Sequence, residues 1–322
     1  MNNSEFDVIK KYFTFDNPRN DVMLAGGDDC AIVEAPDNKQ LLITTDTLIS
    51  GVHFPKATSP EDIAYKSLMV NLSDLAAMGA IPAWLTLAIS LPTIDEKWLS
   101  AFSNQFSSVL SEFNISLIGG DTTKGPLSIT IQAMGFADKE KILRRNQAKP
   151  EDKIFVTGDL GDAAIGLQVL AKGITDEKLL PCINRLNRPE AHIKFAEELF
   201  QYSKCAIDIS DGLIADLNHV LTASQCGAVV RLTQIPVSSA AQAYFEKYHD
   251  NKTDWSMLLT KGDDYELCFT VNSDHYDAVF ALAKKYQLKV SCIGAITKSR
   301  GMRCLDANGE HVMFSSRGFN HF

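Results

Sequence analysis

The sequence contains no GxxxxGK[ST] phosphate loop, and its Gly158-Asp-Leu-Gly161 turn lacks the third glycine of a dinucleotide fingerprint. A nucleotide bound here has to be held in another way. Basic blocks and aromatic-basic stripes are also missing, and the net charge is −9 at pH 7, which argues against nucleic acid as a partner. No run approaches the ~20 apolar residues that a membrane span needs, and the N-terminal MNNSEFDVIKKYF has no apolar signal core. The seven cysteines are scattered and never spaced as CxxC. This predicts buried or half-buried free thiols in a reducing compartment, and the expected location is the cytoplasm.

What the chain does have is carboxylates on glycine turns: GGDDC (Gly26 to Cys30), TTD (Thr44 to Asp46), NLSD (Asn71 to Asp74), GGDT (Gly119 to Thr122), DISDG (Asp208 to Gly212) and KGDDYE (Lys261 to Glu266). Acidic side chains repel one another, so a chain that gathers them in one place needs cations there. Glycine lets backbone approach a bound group, and hard oxygen ligands without His or Cys clusters favour Mg²⁺ over zinc. The chemistry indicated is magnesium and phosphate.

At 322 residues, 45% hydrophobic and 22% charged, the chain suits about two globular domains. Helical periodicity marks the N-terminal segment, with Phe6, Ile9 and Phe13 on one face. Ser59-Pro60-Glu61-Asp62 combines a cap, a first-turn proline and first-turn acids, and opens a helix expected to run to Met78 with Gly79 as its stop. Strands are predicted over Cys30 to Val33, Leu41 to Thr45, Trp84 to Leu91, Ile115 to Ile118 and Ser128 to Phe136, with a helix from Glu96 to Phe113. The charged stretch DKEKILRRNQAKPEDK, with Pro150, is the expected boundary, dividing 1–148 from 149–322. Beyond it the strand and helix pattern restarts.

Each acidic constellation has a plain alternative. Asp28 and Asp29 either project at one cation or close a turn. Asp46 is placed at the end of its strand, with oxygens from Thr44 and Thr45 beside it and His53 following. Asp74 lies in a helix apolar nearly all round, where an unpaired carboxylate costs several kcal/mol, so it is metal-bound or capping a neighbour. Asp121 and Asp208 are expected where strands end, and Asp211 is either a ligand or an N-cap. Arg144 and Arg145 are the available phosphate partners, or simply solvated.

Taken together and in order, GDDC, TTDTL with GVHF, NLSDLAAMGA, GGDTT, an Arg before AKP, DISDGL, GDDYELCFT and a terminal GFNHF resemble the thiamine-monophosphate kinases across essentially the whole chain. That family sits in the superfamily of aminoimidazole ribonucleotide synthetase and selenophosphate synthetase. The resemblance implies a two-domain α/β (α+β) fold, a homodimer whose N-terminal strands form a barrel, and an active site between the halves. It implies transfer of the ATP γ-phosphoryl to thiamine phosphate, assisted by several Mg²⁺ ions.

Carried over motif by motif, Asp29, Thr44, Thr45, Asp46, Asp74, Asp121, Asp208 and Asp211 would serve magnesium, with Asp28 behind them. Gly120, Asp121, Arg145 and Ser210 would contact ATP, and His53, Asp263 and Phe319 thiamine phosphate. Three positions depart from the family's usual pattern: Thr44 replaces Ser, Asp263 replaces Glu, and Phe319 replaces Trp or Tyr. Other readings from the residues are a superfamily synthetase, a Mg²⁺-dependent phosphohydrolase, and a non-catalytic metal-stabilised dimer.

Overall fold

The computed structural model describes residues 5–15, 19–314 and 318–319, so the last three residues of the GFNHF motif lie outside the described residues. The chain forms two compact units. The first comprises the residues up to Leu75 with Ala80–Glu140, and the second comprises Ala76–Gly79 with the residues from Lys141 onward.

The first unit carries α1 (Glu5–Tyr12), β1 (Val22–Leu24), β2 (Ile32–Val33), β3 (Lys39–Ile49), α2 (Pro60–Ala77, whose end belongs to the second unit), β4 (Ile81–Leu91), α3 (Glu96–Phe113), β5 (Ser116–Lys124) and β6 (Ser128–Asp138). Four strands pair in the order β3-β6-β4-β5, antiparallel except for β4 with β5. α3 starts where Asp95 accepts the amide protons of Lys97 and Trp98, and buries Leu99, Phe102, Phe106 and Val109 from one stripe. α2 has no polar stripe of that kind. Leu68, Leu72, Leu75, Lys66 and Asn71 are all buried, as expected for a helix covered on most sides.

The second unit contains β7 (Lys153–Thr157), α4 (Asp162–Ala171), α5 (Leu180–Asn187), α6 (Ile193–Leu199), β8 (Ser203–Asp208), α7 (Leu213–Ser224), β9 (Gly227–Arg231), α8 (Ser239–Tyr248), α9 (Trp255–Thr260), β10 (Leu267–Val271), α10 (Tyr276–Lys285), β11 (Val290–Thr297), β12 (Gly301–Leu305) and β13 (His311–Val312). Its seven-stranded sheet runs β13-β12-β9-β11-β7-β10-β8. β7 and β10, buried along nearly their whole length, are central and read as continuous apolar runs. Ile154, Val156, Ile207, Leu217, Leu259 and Ile293 join one core.

Four expectations change. Asp46 lies inside β3, because the alternation continues through Leu48. Asp121 likewise lies inside β5, which continues through the glycine pair to Lys124. The register slips between Leu85 and Thr86, which leaves Ile118 as the extra residue, and beyond that bulge Gly119 and Gly120 pair with Thr86 and Leu87 without ending the strand. Gly120 is required there, since a Cβ would stand 1.8 Å from the Leu87 carbonyl oxygen. Asp211 does not cap α7; Gly212 holds that position. Cys30 is exposed, whereas Cys182, Cys205, Cys226, Cys268 and Cys304 are buried, and all seven thiols are free.

Candidate active site

In the first unit two of the acids, Asp46 and Asp74, come together where β3 faces α2. Even-numbered β3 residues are the more covered ones, so Thr44 and Asp46 share a face while Thr45 and Thr47 lie on the exposed one. The Thr44 hydroxyl donates to the Asp74 carboxylate, joining strand to helix. Asn71, buried on the same helix, accepts the Asp46 amide proton at 3.2 Å and donates its own amide to the Ser67 carbonyl at 3.0 Å. Burial, and secondly the charge of Asp74, push the Asp46 carboxyl up to about 6. Two carboxylates that resist ionising together form a place where a cation is stabilised.

Thr45 is not part of that cluster. Its hydroxyl lies on the opposite face, 3.4 Å from the Gln132 side-chain amide. Asp121 is exposed on β5, in register with Ala88 of β4. Asp28 and Asp29 are exposed, and the Asp28 carboxylate accepts the Asp29 amide proton at 2.8 Å, so the turn engages one of the two acids itself. His53 Nδ1 accepts the Ile49 amide proton at 3.0 Å. A nitrogen that accepts carries no proton, so Nε2 is the N–H of the neutral ring and is a donor suited to a phosphate oxygen.

In the second unit the DISDG segment follows β8. Asp208 is buried, and Ser210 and Asp211 are half-buried. The Asp263 amide donates to the Ser210 carbonyl at 2.8 Å, and the Phe319 amide to the Asp211 carbonyl at 3.1 Å. Two of the three residues assigned to the acceptor by resemblance, Asp263 and Phe319, therefore hang on the segment that carries Asp208, Ser210 and Asp211. Arg145 is exposed and joins elsewhere: its carbonyl accepts from Ser224 at the far end of α7, roughly 18 Å of helix from Ser210.

Several residues escaped sequence reasoning. Asp216, on the first turns of α7, accepts the amide protons of Asp211 at 3.0 Å and Gly212 at 3.1 Å, so it holds the DISDG turn from behind. Burial, with the charge of Asp211 second, pushes its carboxyl up to about 7. Glu266 is gripped by Arg185, His192 and Thr157. One signal was available in the sequence: Asp216 and Glu266 are acids set in the apolar runs GLIADL and ELCFTV. Among the described residues, no three His, Cys, Asp or Glu are arranged to hold one ion. Magnesium characteristically takes one or two carboxylates and completes its shell with water and substrate phosphates, so the Asp46–Asp74 pair fits it.

Two family models match the chain. Residues 27–137 match "AIR synthase related protein, N-terminal domain", and residues 149–306 match the corresponding C-terminal domain. The thiamine-monophosphate kinase of Haemophilus influenzae is 45% identical over 99% of this chain and 98% of its own. The chain belongs to the thiamine-monophosphate kinase family. Among solved structures, the thiamine-monophosphate kinase of Stenotrophomonas maltophilia is 41% identical, with a TM-score of 0.84 over 91% of this chain and 93% of that one. AaThiL, solved in complex with AMPPCP and TMP, is 30% identical, with a TM-score of 0.80 over 92% and 91%. Both structures thus match this fold over more than nine-tenths of the chain.

Proposed function

We propose that this protein transfers the γ-phosphoryl group of ATP to thiamine phosphate, giving thiamine diphosphate and ADP. The observation that carries the reading is the Asp46–Asp74 pair, present on a chain that matches thiamine-monophosphate kinases over its full length. A relative of the same fold, AaThiL, was solved with AMPPCP and TMP, ligands of the donor and acceptor classes.

The acceptor phosphate has a second pKa of about 6 and is largely dianionic at neutral pH, so it needs no strong base. Repulsion between two polyanions is the barrier to overcome. When bound, Mg²⁺ neutralises that charge and orients the phosphates. Asp46, Asp74 and Asp121, with Asp29 and the Thr44 hydroxyl, are the proposed ligands on the first unit, and Asp208 and Asp211 those on the second. Thr45 joins them only through its backbone. Gly120, Asp121, Arg145 and Ser210 are proposed for ATP, Arg145 at the end distant from Ser210. His53 Nε2 is placed on the acceptor phosphate, with Asp263 and Phe319 toward its organic part. Transfer is direct, with no covalent nucleophile on the protein.

Two finer readings have structural support. Leu41, Ile43 and Ile49 are exposed along one face of β3, an apolar edge suited to a second copy of the chain and to a homodimer. Seven free thiols suit a reducing cytoplasm.

Incubating the protein with ATP, Mg²⁺ and thiamine phosphate and separating the products by chromatography tests the assignment. Equal amounts of ADP and thiamine diphosphate are expected. Thiamine released without ATP would identify a phosphohydrolase instead, and no turnover at all would leave only a structural role.

A further inference from the structure

The acceptor loop between α9 and β10 is held in a costly shape. Gly262, Asp263 and Tyr265 have φ of 72°, 69° and 53°, and a non-glycine residue in that region costs roughly 1–3 kcal/mol. Such a conformation persists only where its surroundings over-determine it. On one side the loop is sewn to the DISDG segment: Asp263 N–H to Ser210 carbonyl, Tyr265 N–H to Ile209 carbonyl, and Ile209 N–H to Glu266 carbonyl, at 2.7 to 2.8 Å. Gly262 has no room for a side chain, since a Cβ would lie 2.1 Å from the Ser210 carbonyl oxygen.

On the other side the loop is fixed by charge. Asp264 is buried, and its Oδ1 accepts the Gly161 amide proton at 2.9 Å. Glu266, 1% exposed, accepts from the Thr157 hydroxyl at 2.5 Å, lies 2.6 Å from His192 Nε2 and pairs with the Arg185 guanidinium. Thr157 in turn accepts the Leu267 amide proton at 2.8 Å. The Glu266 carboxylate also fills the space above Gly158, at the start of the turn that leads to Gly161. Burial works to raise this carboxyl, yet His192 and Arg185, with Thr157, hold it below its ordinary range. A buried ion pair of this kind is a poor source of stability and a good source of specific geometry.

We propose that Glu266, clamped by Arg185, His192 and Thr157, is a positioning residue for the acceptor site: it sets the turn that holds Asp264 and thereby fixes Asp263 toward thiamine phosphate. This rests on the acceptor role given to Asp263 under the proposed function. The Glu266 carboxylate is buried and taken up by its three partners.

Steady-state kinetics of Glu266→Gln against both substrates test the idea, with His192→Gln as a milder variant that leaves the Arg185 pair in place. Loss of one charged hydrogen bond in the clamp should raise KM for thiamine phosphate about tenfold, with KM for ATP unchanged within about twofold and a smaller shift of the same kind in His192→Gln. If Glu266→Gln does not fold, the KM split in His192→Gln decides the matter. Both KM values rising together, or neither moving, would overturn the positioning role. Absence of turnover in the unmodified protein would instead overturn the functional reading.

Discussion

The backbone N–H of Asp263 donates to the carbonyl of Ser210 at 2.8 Å. Through that bond the residue proposed for the acceptor is fixed to the residue proposed for the nucleotide, and Phe319 is fixed in the same way to Asp211. The DISDG segment works as a common spine. Its side chains are the ones proposed for the donor, and its carbonyls hold the loop and tail proposed for the acceptor, while Asp216 anchors it from behind.

Replacing a proposed ligand should separate activity from folding. Asp74→Asn and Asp208→Asn are each expected to lower kcat at least about 100-fold, the upper end of what lost outer-shell support alone costs, with near-native circular dichroism. Retained activity in either variant would remove that residue from the ligand set.

Asp46 ties stability to pH. Its folded value of about 6 exceeds the ordinary 3.8, so the folded state holds the proton more tightly than the unfolded chain. Its contribution to stability is therefore complete below 3.8 and lost as pH rises through about 6. In chelator-treated protein, Asp46→Asn should raise stability by about 3 kcal/mol at pH 7.5 while abolishing turnover, and the gain should largely vanish near pH 4. Urea melts at the two pH values measure it, and an unchanged or lower midpoint at pH 7.5 would refute it.

Much of this site was legible because local rules held. The Ser59-Pro60 start of α2 and the amphipathic stripe of α3 stand where periodicity and capping place them. The alternation of β3 also carried a sign that Thr45 points away from Thr44 and Asp46, since side chains change face at every residue. Asp121 was harder: two glycines read as a strand end, whereas both pair with β4, just past a bulge at Ile118, and the strand continues through them. Glu266 stood out as an acid in an apolar run, but the clamp on it was not readable. Its partners Arg185, His192 and Thr157 lie 74 to 109 residues away in sequence, and only the folded sheet brings them together.

The exposed apolar edge of β3 predicts association. Ile43 is 56% exposed, and Ile43→Glu should convert a dimer into a monomer by light scattering after gel filtration. A protein that runs as a monomer before the change would contradict the homodimer.

Phe319 keeps an aromatic face where the family commonly has Trp or Tyr. Stacking of aromatic groups contributes about 0.5–1.5 kcal/mol beyond area burial, so Phe319→Ala should raise KM for thiamine phosphate up to about tenfold and Phe319→Trp should leave it unchanged or lower it. An unaltered KM in the alanine variant would place the acceptor elsewhere.

The most direct test of the central claim follows the transferred group itself. With γ-labelled ATP, Mg²⁺ and thiamine phosphate in a single-turnover quench, the label should pass to the terminal phosphate of thiamine diphosphate with no labelled protein on the way. Label accumulating on the chain, or appearing only as inorganic phosphate, would contradict direct transfer to thiamine phosphate.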